Sequence, residues 1–101
     1  MEIEITNFEH FKEETASGNV VVDFYATWCG PCRMLAPILK QVGEEHPELK
    51  ILRVDVDQVG QAAGMYGIQS IPTLIRFKDG QVIDTRLGYM PKEVLERFLG
   101  F

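Results

Sequence analysis

The segment Val20–Cys32 reads VVVDFYATWCGPC, and it decides the fold because it joins a buried strand to two cysteines and a helix. Residues 20–26 form a short apolar run rich in β-branched and aromatic side chains, which is typical of a strand buried on both faces. Beyond the second cysteine, apolar residues recur at helical spacing, at Leu35, Ile38, Leu39 and Val42. The order strand, tight loop, helix therefore places both cysteines at a helix N-terminus.

Cys29 and Cys32 are the only cysteines of the chain, and two residues separate them. This spacing lets the two sulfurs meet, so the pair can close as a disulfide. A loop of four residues gives only about 2 kcal/mol of chain-entropy stabilisation. Because the bond contributes so little to folding, it can be broken and remade without unfolding the protein, as a redox centre requires.

A metal or haem site at this pair is disfavoured. Zinc prefers four ligands, and the two histidines, His10 and His46, have no partner at ligand spacing. Covalent haem attachment needs a histidine directly after the second cysteine, where the chain has Arg33. We therefore expect no metal and no bound cofactor other than the cysteine pair.

The two thiols are expected to differ. Unpaired N–H groups and the positive end of the helix dipole favour an anion, so the first thiol should ionise more easily than a free cysteine. Helical positions three apart have Cβ atoms about 5–6 Å apart, whereas a disulfide prefers about 3.8 Å. Cys29 should therefore lie just outside the helix, more exposed, as the attacking thiol, with Cys32 in the first turn as the resolving thiol.

Gly30 and Pro31 are expected to tune the redox behaviour of the pair. Proline fits the first helical turn, where a missing N–H costs little. It also removes a donor that could have stabilised the thiolate, so the pair should be a weaker oxidant than one with a donor-bearing residue there.

Length and charge limit the possible partners. The 101 residues suit one domain over 1–101, for which we expect a monomer. A net charge of −5 without a basic cluster argues against nucleic acid and anionic membranes. No apolar run approaches the roughly 20 residues that span a bilayer, and the first residues lack the features of a signal peptide. We therefore expect a cytoplasmic protein, in which a lone Cys-x-x-Cys is more often catalytic than structural.

The rest of the chain predicts the order βαβαβαββα, a mixed sheet covered by helices on both faces. Thr6 and Glu9 are spaced as a capping box at the start of the first helix. Strands are predicted near residues 3–5, 51–56, 73–77 and 82–87, and further helices over 58–67 and from Pro91. The helix that joins the two buried strands makes them parallel, and Lys78–Gln81 is typical of a hairpin turn.

These features together resemble the thioredoxin family over the whole length of the chain. The resemblance rests on the WCGPC motif at 28–32, Asp23 in the buried strand, Pro37 in the long helix, Ile71-Pro72-Thr73, and glycines at 80 and 88. It implies the thioredoxin fold and a protein-disulfide reductase. Such a protein accepts electrons from NADPH through the flavoprotein thioredoxin reductase and passes them to disulfide-containing target proteins.

Asp23 is flanked by apolar residues, so we expect it to be buried, and burial raises the pKa of a carboxyl group. The resemblance assigns it proton exchange with Cys32. It also implies a cis Pro72 that faces the cysteines and leaves the Ile71 backbone free to pair with an extended peptide. Substrate contacts are expected from Trp28 and from Gly88, although Gly88 could equally be an ordinary strand-end glycine.

Mild departures from the family pattern are Tyr25, where Trp or Phe is common, and Arg53, where a lysine often lies near the buried aspartate. Because arginine stays charged, a proton-shuttling role at position 53 is in doubt. Two other functions are alternatives on the same fold: a binding module or holdase subunit whose cysteines are incidental, and a disulfide-forming oxidase. Replacing both cysteines with serine distinguishes electron transfer from binding alone.

Overall fold

The computed structural model describes every residue from Met1 to Phe101 and confirms the predicted order of elements. Strands and helices follow one another as β1 (Glu2–Glu4), α1 (Phe8–Thr15), β2 (Asn19–Tyr25), α2 (Gly30–Glu45), β3 (Lys50–Asp55), α3 (Gly60–Met65), β4 (Thr73–Lys78), β5 (Gln81–Leu87) and α4 (Lys92–Phe98). None of the helices is long and apolar enough to cross a membrane.

One mixed sheet organises the molecule, with strand order β1-β3-β2-β4-β5. The strands β1, β3 and β2 are parallel, whereas β4 and β5 are antiparallel to their neighbours. The predicted mixed sheet and the parallel pairing across α2 are thus confirmed. The carboxyl ends of parallel strands lie at the same edge of a sheet. The carboxyl ends of β2 and β3 are therefore adjacent, next to the WCGPC loop.

Two apolar clusters cover the two faces of the sheet, because side chains alternate along β2. Val20, Val22 and Phe24 point toward α1 and α3, where they pack with Phe11 and Ala62. Val21 points toward α2 and α4 and packs in the second cluster, with Leu35, Leu39, Leu74 and Leu95 among its members. The central strand is therefore buried on both faces, as its composition predicts.

The hairpin between β4 and β5 turns at Asp79 and Gly80, which both have positive φ angles of 48° and 84°. Two consecutive positive φ values are typical of the tight turns that match the twist of a hairpin. The Asp79 carboxylate also accepts a hydrogen bond from the Gly18 backbone N–H at 2.8 Å. The predicted hairpin is confirmed.

The predicted capping box at the first helix is wrong. Asn7 is the N-cap of α1, and its side-chain oxygen accepts a hydrogen bond from the His10 backbone N–H at 2.8 Å. Asparagine caps helices at least as well as threonine. Thr6 instead donates its backbone N–H to the ring Nδ1 of His10 at 3.1 Å, so it lies one residue outside the cap.

Candidate active site

The two cysteines lie at the N-terminus of α2 and are joined by a disulfide. Cys29 is the N-cap residue, outside the helix with extended backbone angles, and Cys32 lies in the first turn. Their Cα atoms are 5.3 Å apart. The Cys29 sulfur accepts a hydrogen bond from the Cys32 backbone N–H at 3.2 Å. The Cys32 amide therefore points at the sulfur that would carry negative charge after reduction. This arrangement favours the thiolate form of Cys29.

The cysteines differ much less in exposure than the sequence predicts. Cys29 is 5% exposed and Cys32 is 2% exposed in the disulfide form. Ala26 forms a small apolar cluster with both cysteines, and Tyr25, Val56 and Ile71 pack against this cluster. Residues of the loop after β2 and of the loop before β4 therefore lie around the cysteine pair. The sequence does not reveal that these two loops meet.

The loop before β4 faces the cysteines. The Ile71–Pro72 peptide bond is cis, and the carbonyl oxygen of Ile71 lies 3.8 Å from the Cys29 sulfur. A disulfide sulfur carries no hydrogen, so this is a contact in the oxidised protein and becomes a weak hydrogen bond only when Cys29 is a thiol. Neither the N–H nor the carbonyl of Ile71 has a main-chain partner, which leaves both available to a bound peptide.

Gly88 joins this loop through a hydrogen bond from its N–H to the Pro72 carbonyl at 2.8 Å. Its φ angle of 87° requires glycine, while a Cβ at this position would meet nothing within 4 Å. Backbone conformation, not crowding, therefore accounts for glycine at position 88.

Trp28 projects from the loop and is 67% exposed. Its indole N–H donates a hydrogen bond to Asp57 at 2.8 Å, which fixes the orientation of the ring beside the cysteines. The sequence interpretation missed Asp57. Its position two residues beyond the end of β3 was a usable signal, because the carboxyl ends of the parallel strands β2 and β3 are adjacent.

Asp23 is fully buried, as predicted, and burial raises its pKa to about 6, an effect that Arg53 opposes. The Oδ2 atom accepts a hydrogen bond from Arg53 Nε at 3.2 Å. The Oδ1 atom is also buried but has no hydrogen-bond partner. A buried carboxyl group with one free oxygen that titrates near neutral pH is suited to accept and return a proton.

The topology orients Asp23 toward the cysteine side of the sheet. Along β2 it lies between Val21, which packs under α2, and Tyr25, which packs against the cysteine cluster, so all three share one face. A cleft of about 300 Å³ opens on this side and is lined by both Cys32 and Arg53. The inner cysteine and the arginine that pairs with Asp23 thus line the same cleft, while Asp23 itself is buried beneath it.

One group of side chains away from the cysteines could offer three ligand atoms to a metal ion. Glu45, His46 and Glu96 have ligand atoms within 4.8 Å of one another, at the opposite end of α2. The Glu45 carboxylate is paired with the Lys92 ammonium at 2.8 Å. This group includes neither cysteine and takes no part in the site.

The site defines a class of protein by three features. These are a cysteine pair at a helix N-terminus that can form a disulfide, a facing loop with unpaired backbone groups, and a buried acid. Members of this class exchange a dithiol for a disulfide in other molecules. The comparison with known proteins gives the family. The thioredoxin family model matches residues 2–100, and the chain belongs to the thioredoxin family. The fold class and the redox-active cysteine pair inferred from the sequence are confirmed.

Curated relatives and solved structures agree. The thioredoxin of Listeria monocytogenes is 51% identical over 90 residues, 88% of this chain and 87% of the relative. The thioredoxin of Bacillus subtilis is 47% identical over 92 residues, which is 90% of this chain and 88% of the relative. The crystal structure of Malassezia sympodialis thioredoxin matches with a TM-score of 0.89 at 35% identity, over 98% of this chain and 91% of that one. The chain is a thiol-disulfide oxidoreductase whose redox group is its own disulfide.

Proposed function

We propose that the chain reduces protein disulfides in a two-step exchange in which Cys29 attacks and Cys32 resolves. The Cys29 thiolate attacks one sulfur of a target disulfide, forms a mixed disulfide and releases the other target sulfur as a thiolate. The Cys32 thiolate then attacks the Cys29 sulfur and expels the target's second thiolate. Two electrons pass to the target, and the Cys29–Cys32 disulfide remains. The observation that carries this assignment is the amide of Cys32 directed at the Cys29 sulfur.

Asp23 is proposed to remove the proton from Cys32 before the second attack. Its raised pKa of about 6 means that it is mostly ionised at pH 7, yet still basic enough to accept a proton. The free Oδ1 atom provides a place for that proton. The resolving step should accordingly become faster as the pH rises through about 6, and Asp23→Asn should remove this inflection.

Target proteins are proposed to bind as extended segments across the loop at Ile71–Pro72. The unpaired backbone groups of Ile71 can form the main-chain hydrogen bonds of an added strand. The exposed indole of Trp28 supplies an apolar contact beside the cysteines. Gly88 lies next to Pro72 and leaves open space for the backbone of the target.

The electron donor is proposed to be a thioredoxin reductase that uses NADPH, and the acceptors are disulfide-containing proteins. Gly30 and Pro31 would adjust the redox balance of the pair, since neither offers a side-chain donor to the sulfurs. The whole of residues 1–101 is proposed to act as one domain and as a monomer in the cytoplasm. The acidic net charge of −5 agrees with protein partners in place of nucleic acid.

Trapping the intermediate tests the assigned order of attack. Cys32→Ser should form a stable mixed disulfide with a target such as oxidised insulin, visible by mass spectrometry and reversed by dithiothreitol. Cys29→Ser is the matched control and should form no such adduct at a comparable rate. If Cys29→Ser is the variant that accumulates the adduct, the assigned roles are reversed. A coupled assay of insulin reduction with NADPH and thioredoxin reductase measures the complete cycle.

A further inference from the structure

Three charged side chains lie in one row across the parallel half of the sheet. In the strand register, Glu4 of β1 pairs with Arg53 of β3, and Arg53 pairs with Asp23 of β2. Residues at paired positions point to the same face of a sheet. The arginine therefore stands between two carboxylates, one exposed at the sheet edge and one fully buried.

Tyr25 links the outer carboxylate to the arginine. It lies two residues beyond Asp23 on β2, on the same face, and the Arg53 guanidinium sits over its ring at 3.9 Å from the centroid. The phenol hydroxyl donates a hydrogen bond to Glu4 Oε2 at 2.7 Å. Burial and this hydrogen bond both raise the pKa of Tyr25, so the hydroxyl keeps its proton and remains a donor.

Two contacts hold the Arg53 side chain in place. The ring of Tyr25 covers one side of the guanidinium, and Nε is directed at Asp23 Oδ2 at 3.2 Å. A long flexible side chain loses rotamer freedom when it forms an ion pair, and stacking on a ring fixed by Glu4 reduces that cost. With Oδ2 occupied, Oδ1 is the only oxygen of Asp23 without a partner.

We propose that Tyr25 and Glu4 are positioning residues that hold the Arg53 guanidinium on Oδ2 of Asp23, so that this buried acid remains ionisable at neutral pH with Oδ1 as its free oxygen. The inference deepens the proposed role of Asp23 and rests on it. It also gives position 53 a purpose that does not require the arginine to lose its own proton.

Other charges near Asp23 act in known directions. Glu2 and Glu4 on β1 raise its pKa, and Arg53 on β3 lowers it. On the α2 side, Arg33 and Cys32 border the cleft that Arg53 also lines. Removing the arginine should therefore raise the midpoint of the Asp23 titration, whereas removing the charge of Glu2, which does not hold Tyr25, should lower it.

The test is a ¹³C NMR titration of the Asp23 carboxyl carbon in the oxidised protein, which needs no partner or turnover. Arg53→Met should raise the midpoint by at least about one unit, a tenfold gain in proton affinity, and Arg53→Lys should recover part of the shift. Tyr25→Leu should raise the midpoint by roughly half a unit to one unit, because the guanidinium is released. Tyr25→Phe keeps the ring and should give a smaller rise.

The direction of the Tyr25→Leu shift separates positioning from packing. If Tyr25 only shields Asp23 from water, its truncation admits water and lowers the midpoint, which contradicts the proposal. An unchanged midpoint in Tyr25→Leu, or in Arg53→Met, contradicts it equally. Glu2→Gln is the matched control on β1: it removes a negative charge without touching Tyr25 and should lower the midpoint slightly. A failure of Asp23 to act in catalysis would appear instead as unchanged resolution kinetics in Asp23→Asn.

Discussion

Asp23 combines full burial with a single ionic partner, and the two conditions act on its proton affinity in opposite directions. Burial raises the pKa, and the nearby guanidinium of Arg53 lowers it, with burial the stronger effect. A carboxylate with excellent partners would stay ionised at every physiological pH, and one without any would stay protonated. The intermediate arrangement raises the pKa of Asp23 to about 6, so the group titrates near neutral pH.

The same property costs stability, and this can be measured. The pKa of Asp23 rises from 3.8 in the unfolded chain to about 6 in the folded protein, so between these values the folded state keeps a proton that the unfolded state has lost. The free energy of unfolding therefore falls as the pH rises through this window, by about 3 kcal/mol in total. The loss is complete above about pH 6 and absent below the unfolded value.

Asp23→Asn should remove this pH dependence. Its free energy of unfolding relative to the native sequence should increase by about 2–3 kcal/mol between about pH 4 and about pH 8. At about pH 4 the native Asp23 is already protonated, so the variant replaces a neutral side chain there; the ion pair with Arg53 exists only above about pH 6, and its effect is already contained in that pKa. Urea denaturation at the two pH values measures the effect. Asp84→Asn on the exposed strand β5 serves as the control, and an equal pH effect there would refute the assignment to Asp23.

The sequence predicted Asp23 and, through the resemblance, a basic residue near it at position 53, but not the residues that hold this arginine in place, for a physical reason. An acid inside an apolar run is recognisable locally, because burial follows from the neighbours in the chain. The contacts of Glu4 with Tyr25 and of Asp57 with Trp28 depend on strand register and order, which only the folded sheet defines. The arginine at position 53 is recognisable in the sequence as a departure from the family pattern, but its stacking on Tyr25 does not follow from spacing.

At the level of elements, the most predictable parts were those with strong local signals. The Lys78–Gln81 turn has the residues that positive φ angles require, and the apolar pattern of β2 and α2 defines both elements. The start of α1 was less predictable. Thr6 and Asn7 are both capping residues, and the choice between them depends on the hydrogen bond from His10 to the asparagine side chain.

The turn at Gly80 provides a test of element stability that is separate from the redox site. Its φ angle is 84°, and a Cβ there would lie 3.4 Å from the carbonyl oxygen of Ala16. Gly80→Ala should lower the free energy of unfolding by roughly 1–2 kcal/mol, because a left-handed conformation is strained for alanine. The rate of insulin reduction should stay the same, since β4 separates this turn from Pro72.

Gly64 is the matched control for that substitution. It lies inside α3 without a positive φ angle, and a Cβ there would meet nothing within 4 Å. Gly64→Ala should therefore raise the free energy of unfolding by roughly 0.5–1 kcal/mol. Thermal denaturation of both variants measures the two shifts, and changes of the same sign would show that backbone conformation does not decide the effect.

For the whole molecule, the cysteines lie outside the two main apolar clusters. These clusters fill the two faces of the sheet, and Cys29 and Cys32 belong to a small third group at its edge with Ala26. The fold can therefore persist when the disulfide opens, which a carrier that alternates between two redox states requires. This separation follows from placing the cysteines after a buried strand, a feature already visible in the sequence.

Reduction should accordingly weaken the protein without unfolding it. A disulfide that closes a four-residue loop contributes about 2 kcal/mol by chain entropy, so the reduced form should be less stable by about that amount. With a urea m-value of about 2 kcal/mol per molar, the denaturation midpoint should fall by roughly 1 M while the slope stays nearly the same. Cys29→Ser/Cys32→Ser, measured without reductant, should give the same midpoint as the reduced protein. A reduced form that loses its cooperative transition would show that the disulfide is structural, and a reversible redox cycle would then be incompatible with the fold.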